Sequence, residues 1–159
     1  MEALKMERSA ADNKYLHRDF HKTLDLGLAY LAEHYGEDSV GKYLHDVVKI
    51  YYAPLIEKIK NEGLSALESH IKRIYEIEEA ANVCHTYFSG DTLSVKIDAC
   101  PVLAYFQKSG YHPSRYFKET TLTLNEAIAE LADIGYRLEF YDEKTGNCEY
   151  LFFTEKEQI

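Results

Sequence analysis

The sequence predicts an α+β protein with N-terminal helices followed by a small antiparallel sheet of two hairpins with intervening helices. Two observations lead to this prediction. Apolar residues recur at helical spacing through the first half of the chain, and from residue 83 onward they alternate in short runs between turn residues. Strands joined by tight turns pair antiparallel, so the helices are expected to pack on one small sheet.

The first half of the chain predicts four helices separated by helix-breaking residues. The first covers residues 16–35 and ends at Gly36, a typical C-terminal cap. A second begins near Asp38, and Pro54 either bends it or starts a third helix. Gly63 ends that segment, and a fourth helix follows it.

The second half predicts the two hairpins. The first has strands over 83–88 and 92–99 around the turn Ser89-Gly90-Asp91. The second joins an alternating run that begins at Tyr136 to a last strand over 147–153. The order of the four strands in the sheet stays open.

Two helices are predicted between the hairpins. The first covers residues 102–108. The second opens on Thr123-Leu124-Asn125-Glu126, in which Thr and Glu stand at the spacing of a capping box, and ends at Gly135.

Composition and charge restrict the classes of protein to which this chain could belong. Its 159 residues suit one domain, which we place at 13–159 behind a flexible extension at 1–12. A net charge of −9 without a basic run predicts no nucleic-acid partner. No apolar run reaches the roughly 20 residues of a membrane span, and the N-terminus has no apolar signal core. We therefore expect a cytoplasmic protein without a membrane partner.

The chain has three cysteines, Cys84, Cys100 and Cys148. Their odd number and the lack of a C-x-x-C spacing predict reduced thiols rather than a disulfide framework or a zinc site. Cys84, inside the first predicted strand, is expected to be a core residue. The sequence has no glycine-rich phosphate loop and no nucleotide fingerprint, so we expect no cofactor.

Cys100 is the best candidate for chemistry, because it directly precedes Pro101 at the predicted start of a helix. Proline is favoured in the first turn, which puts Cys100 at or near the N-cap. Free backbone N–H groups and the positive end of the helix dipole favour a thiolate at such a position. The alternative is a small buried residue that only caps the helix.

Other candidates flank the predicted sheet. Cys148 shares a strand face with Tyr150, and in a single sheet Cys148 and Cys100 would both line one end. His85 on the first strand, or His112 in a later loop, could act as base or proton donor to a thiolate. The alternatives are a core cysteine for Cys148 and surface or satisfied core residues for the two histidines.

Two polar clusters on helices have simpler interpretations. His17 and His21 lie four residues apart on one helical face, a spacing that can hold a metal. A third ligand is needed, so we interpret them as a solvated flank and predict no metal site. Glu76, Glu78 and Glu79 are interpreted in the same way, as a solvated helix end.

Tyrosine is unusually frequent, with 14 residues and no tryptophan. Aromatic side chains near the predicted sheet could line an apolar pocket, which supports a second hypothesis, a non-catalytic module that binds a small molecule. These residues are Tyr87, Tyr105, Phe106, Tyr111, Tyr136, Phe140 and Tyr150. Of these, the expected ligand-binding tyrosines are Tyr87, Tyr105, Tyr111 and Tyr150. A tyrosine-rich surface is also compatible with a homodimer.

Three motifs occur together in the C-terminal half: Cys100-Pro101, a short helix that ends in Gly110, and Gly146-Asn147-Cys148-Glu149-Tyr150. Their order resembles the L-2-amino-thiazoline-4-carboxylic acid hydrolase-like family over residues 25–153. Family members have another cysteine and an aspartate between the two cysteine motifs, where this chain has Glu119 and no cysteine.

The resemblance implies a hydrolase that opens a C–N bond in a thiazoline ring and yields a carbamoyl cysteine. It implies Cys100 as the nucleophile that attacks the amidine-like carbon, with Cys148 in the same site. His85 or His112 would then supply the acid for the leaving nitrogen.

Overall fold

The computed structural model describes residues 14–154, with side chains from Phe20 onward. The expected extension at 1–12 lies outside the described residues. Within them the chain forms six α-helices and one four-stranded antiparallel sheet, which confirms the predicted α+β class. No helix in this part of the chain is long and apolar enough to span a membrane.

Six helices pack around the sheet and against one another. Their bounds are α1 Lys14–Tyr35, α2 Asp38–Tyr51, α3 Ala53–Glu62, α4 Leu64–Ile77, α5 Pro101–Lys108 and α6 Leu122–Ala132. The predicted breaks are confirmed, because Gly36 and Gly63 both have positive φ and Pro54 lies in the first turn of α3.

Two hairpins form the sheet, in the order β1-β2-β4-β3. The strands are β1 Cys84–Ser89, β2 Thr92–Ile97, β3 Gly135–Tyr141 and β4 Cys148–Phe153. The second strand of each hairpin is central, and β2 pairs antiparallel with β4. The end of β2 therefore lies beside the start of β4, with Ile97 opposite Cys148.

The start and the end of α6 differ from the prediction. The helix begins at Leu122, and Thr121 at its N-cap makes no side-chain capping bond. The predicted capping box is wrong, because Thr123 lies inside the helix, and its hydroxyl donates to the Glu119 carboxylate at 2.6 Å instead of accepting from a backbone N–H as an N-cap does. The helix also ends before Gly135: Asp133 takes the left-handed conformation, and Gly135 opens β3.

One face of the sheet is buried against the helices. Alternate residues of the two central strands point into the main apolar core, which α4 and α6 complete. These residues are Leu93, Val95, Ile97, Cys148, Tyr150 and Phe152. The opposite face carries the exposed rings of Tyr87 and Phe140 and an ion pair between Lys96 and Glu149 at 3.0 Å.

The turn between β3 and β4 packs directly on the start of α5. The Cys100 N–H donates to the Thr145 carbonyl at 2.8 Å. Gly146 has φ +68, and a Cβ built there would lie 2.4 Å from the Cβ of Cys100. A side chain at Gly146 cannot fit without moving the first residues of the helix.

This contact predicts that Gly146→Ala lowers the free energy of unfolding by about 2–5 kcal/mol, the sum of left-handed strain and overpacking. The matched control is Gly90→Ala, because Gly90 has φ +57 but open space around the added Cβ. It should cost only the strain, about 1–2 kcal/mol. Urea unfolding of the two variants measures the difference, and equal losses would contradict the close approach at Cys100.

Candidate functional site

Cys100 occupies the position that the sequence predicts. It lies between β2 and α5 as the N-cap residue of α5, with extended backbone angles and Pro101 in the first helical turn. The thiol is half-buried. Its sulfur does not cap the helix with a well-formed hydrogen bond, so a preference for the thiolate would have to come from the helix dipole and the nearby backbone N–H groups of Val102 and Leu103.

The expectation of a favoured thiolate is wrong in this structure. Burial raises the pKa of the Cys100 thiol above its ordinary value, because desolvation penalises the charged form. The backbone N–H groups of Leu103 and Val102 lower the pKa, but less than burial raises it. The negative charge of Glu78 raises it further. At neutral pH the resting side chain is therefore the protonated thiol.

Cys148 lies within electrostatic range of both Cys100 and Cys84, and we call the three together the thiol cluster. Cys84 and Cys148 stand in one cross-strand row with Ile97 between them. Burial raises the pKa of Cys148 to about 12, with smaller contributions from the charges of Cys100 and Cys84. Burial also raises the pKa of Cys84 to about 11.

Tyr75 from α4 completes the apolar floor beneath this cluster. Burial raises the pKa of its hydroxyl well above the ordinary value, and the charges of all three cysteines contribute to that rise. The predicted meeting of Cys100 and Cys148 at one end of the sheet agrees with this mutual influence. Cys84 and Cys148 belong to the buried side of the site, and Cys100 lies at its edge.

A carboxylate and a histidine meet beside Cys100. The His21 Nε2 and the Glu78 Oε1 lie 3.1 Å apart, with 19% and 8% of the two side chains exposed. The interpretation of both as solvated polar residues is therefore wrong. The charge of Glu78 makes the smallest of the contributions to the raised pKa of the Cys100 thiol, so the carboxylate that pairs with His21 lies within electrostatic range of the thiol.

Two weak sequence signals point to these residues in retrospect. Glu78 follows the last turn of α4, where the negative end of the helix dipole disfavours a carboxylate. Its position therefore indicates a role other than stabilising the helix. His21 stands four residues before Asp25, which occupies the apolar face of α1 together with Leu28. Polar residues on a buried stripe are the more informative signal.

The other predicted acid–base residues lie elsewhere. His85 points to the sheet face opposite Cys84, where its Nε2 contacts the Asp98 carboxylate at 2.7 Å. Tyr87 shares that outer face and is 62% exposed. His112 is exposed in the loop after α5. The structure does not bring His85 to the face that carries the thiol cluster.

The remaining predicted tyrosines divide into two groups. Tyr150 is buried in the main core beneath the thiol cluster. Tyr105 and Tyr111 lie together on the other side of the site, where the Lys22 ammonium stands 4.8 Å and 5.8 Å from their ring centroids. Two of the tyrosines predicted as ligand-binding residues therefore contact the same cation, but no sequence pattern indicated Lys22.

His17 and His21 are the two residues whose spacing can hold a metal ion. The side chain of His17 lies outside the described residues, and His21 is engaged with Glu78. Among the side chains that the structure describes, no group of three His, Cys, Asp or Glu residues is arranged to hold a metal ion.

Comparisons of the chain with protein-family models, curated proteins and solved structures find no match.

The electrostatics of Cys100 predict the rate at which its thiol reacts with iodoacetamide. Because its pKa is raised, alkylation should be slower than that of free cysteine at pH 7.5 and should keep rising above pH 9.0, the ordinary pKa of a thiol. Glu78→Gln removes a charge that raises this pKa, so alkylation below the plateau should accelerate.

Mass spectrometry of the peptide that contains Cys100 separates its reaction from those of Cys84 and Cys148. Glu76→Gln is the matched control, since Glu76 is exposed on the same helix. Fast alkylation of Cys100 that is already at its plateau by pH 7 would mean that the field of α5 outweighs burial.

Proposed function

We propose that this protein is a hydrolase that opens a C–N bond in a small heterocycle such as a thiazoline carboxylate, with Cys100 as the nucleophile. One observation carries the proposal: Glu78, paired with His21, lies close enough to Cys100 for its charge to act on the thiol. The order of motifs that resembles the thiazoline-carboxylate hydrolase-like family supports the same chemistry.

The raised pKa of Cys100 determines the first step. A protonated thiol is a weak nucleophile, so it needs a base at the moment of attack. In the proposed mechanism the Glu78 carboxylate takes the proton while the sulfur bonds to the amidine-like ring carbon. The His21 imidazole holds Glu78 in place through their contact.

The second step breaks the ring. As the sulfur adds, the C=N π bond breaks and the ring nitrogen takes the proton held by Glu78. A second proton then passes from the exocyclic amino group to the ring nitrogen, the ring C–N bond breaks, and the carbon stays bound to the Cys100 sulfur with a double bond to the exocyclic nitrogen. Water then adds to that carbon, the C–S bond to Cys100 breaks, and the thiol regains its proton. The net reaction consumes one water and releases the opened carbamoyl product.

The local backbone and the buried thiols have separate roles in this proposal. The N–H groups of Val102 and Leu103, which favour negative charge on the Cys100 sulfur, would stabilise the thiolate as it forms. Cys84 and Cys148 have pKa values of about 11 and 12, so they stay protonated and form the floor of the site.

A non-catalytic module that binds a small molecule is the second candidate. It is favoured by the same raised pKa of Cys100, because a resting thiol without a working base is inert. The two candidates differ at Glu78. In a binding module, replacing Glu78 changes only the pKa and reactivity of the Cys100 thiol. In the hydrolase, the same replacement also removes the base.

Turnover of 2-amino-thiazoline-4-carboxylate, followed by chromatography of the carbamoyl product, tests the hydrolase. Cys100→Ser should lower kcat by on the order of 10³-fold or more, the usual cost of losing a covalent nucleophile. Glu78→Gln should lower kcat by about 10²-fold through loss of the base, while it speeds alkylation of Cys100.

Loss of the fold would also expose Cys100 and speed its alkylation, so urea unfolding of Glu78→Gln is measured beside the two rates. A fall in kcat with an unchanged free energy of unfolding indicates a base, and a parallel loss of stability indicates a residue that only maintains the fold. His85→Ala tests the competing assignment, and a large loss of kcat there would move the proton transfer to the outer face of the sheet. No turnover by the unmodified protein would favour the binding module.

A further inference from the structure

Lys22 is a cation for which the described side chains, from Phe20 to Thr154, provide no carboxylate partner. Its ammonium stands over the rings of Tyr105 and Tyr111, and within the described side chains it forms no ion pair. The side chain is half-buried, which makes an uncompensated charge more costly than at the surface. Aromatic faces compensate part of that cost, but they leave the ammonium able to bind an anion.

The rings beneath Lys22 are fixed by a buried carboxylate. Asp25 is 1% exposed and accepts hydrogen bonds from the Tyr111 hydroxyl at 2.7 Å, the Ser114 N–H at 2.9 Å and the Ser114 hydroxyl at 2.7 Å. Three donors satisfy the carboxylate without Lys22. The same bonds tie α1 to the loop after α5, so Lys22 and Tyr111 are held together.

This arrangement lies beside the proposed reaction centre. Lys22 directly follows His21, which contacts Glu78. Tyr105, Tyr111 and Cys100 all pack against the same apolar cluster around α5. The ammonium and the thiol therefore flank one part of this helix.

We infer that Lys22, supported by Tyr105 and Tyr111, is the subsite that binds the carboxylate of an anionic substrate while Cys100 attacks its ring. This inference rests on the proposed hydrolase function and adds what determines its specificity. In a chain with a net charge of −9, an unpaired cation beside the reaction centre provides local attraction for an acid. The subsite selects acidic compounds over uncharged ones of the same ring.

The test pairs two forms of the protein with two substrates. For the unmodified protein, kcat/KM should be higher for 2-amino-thiazoline-4-carboxylate than for 2-aminothiazoline, which lacks the carboxylate. Lys22→Met should lower kcat/KM for the acid by about 10–100-fold, as expected for loss of a charged hydrogen bond, and leave the uncharged compound within about twofold. Lys49→Met, on the exposed surface of α2, is the matched control and should change neither.

Calorimetric binding of the same acid to Cys100→Ser, with and without Lys22→Met, separates this inference from the proposed function. If neither compound turns over but Lys22→Met weakens binding at least tenfold, the subsite stands and the hydrolase does not. If turnover occurs and Lys22→Met affects both compounds equally or neither, the hydrolase stands and the subsite is wrong. Absence of both turnover and binding overturns both.

Discussion

The close contact between Gly146 and Cys100 is the constraint on which the rest of the site depends. Because residue 146 is a glycine, the turn between β3 and β4 can lie directly on the start of α5. The bond from the Cys100 N–H to the Thr145 carbonyl then couples the start of the helix to the second hairpin. The Cys100 side chain at this contact is half-buried, and burial raises the pKa of its thiol above that of a free cysteine.

Two opposing effects therefore act on one sulfur atom. The start of α5 offers N–H groups that favour a thiolate, whereas burial and the Glu78 carboxylate favour the thiol. Since the second pair of effects is larger, a reaction at Cys100 would depend on a nearby base. Asp25 contributes to this balance indirectly. Its hydrogen bond to Tyr111 holds α1 in place one helical turn after His21, and His21 in turn contacts Glu78.

Local patterns could be predicted from the sequence, and long-range contacts could not. The breaks at Gly36 and Gly63 and the buried face of β4 follow from residue types and strand periodicity, which act between near neighbours. The start of α6 could not be predicted, because the Thr123 hydroxyl had a competing side-chain acceptor. The pair of His21 and Glu78 depends on how α1 packs near the end of α4, which neither segment encodes alone.

The sheet has an approximate twofold arrangement, in which the turn of each hairpin is bonded to the chain that leaves the other. Cys100 donates to Thr145 at one end of the central β2–β4 pair, and Thr154 donates to Asp91 at the other end. One backbone bond therefore closes each end of this ladder, and fraying from either end has to break it first. Opening of the sheet from the end that carries the thiols separates Cys100 from Thr145, so local unfolding there also disturbs the candidate site.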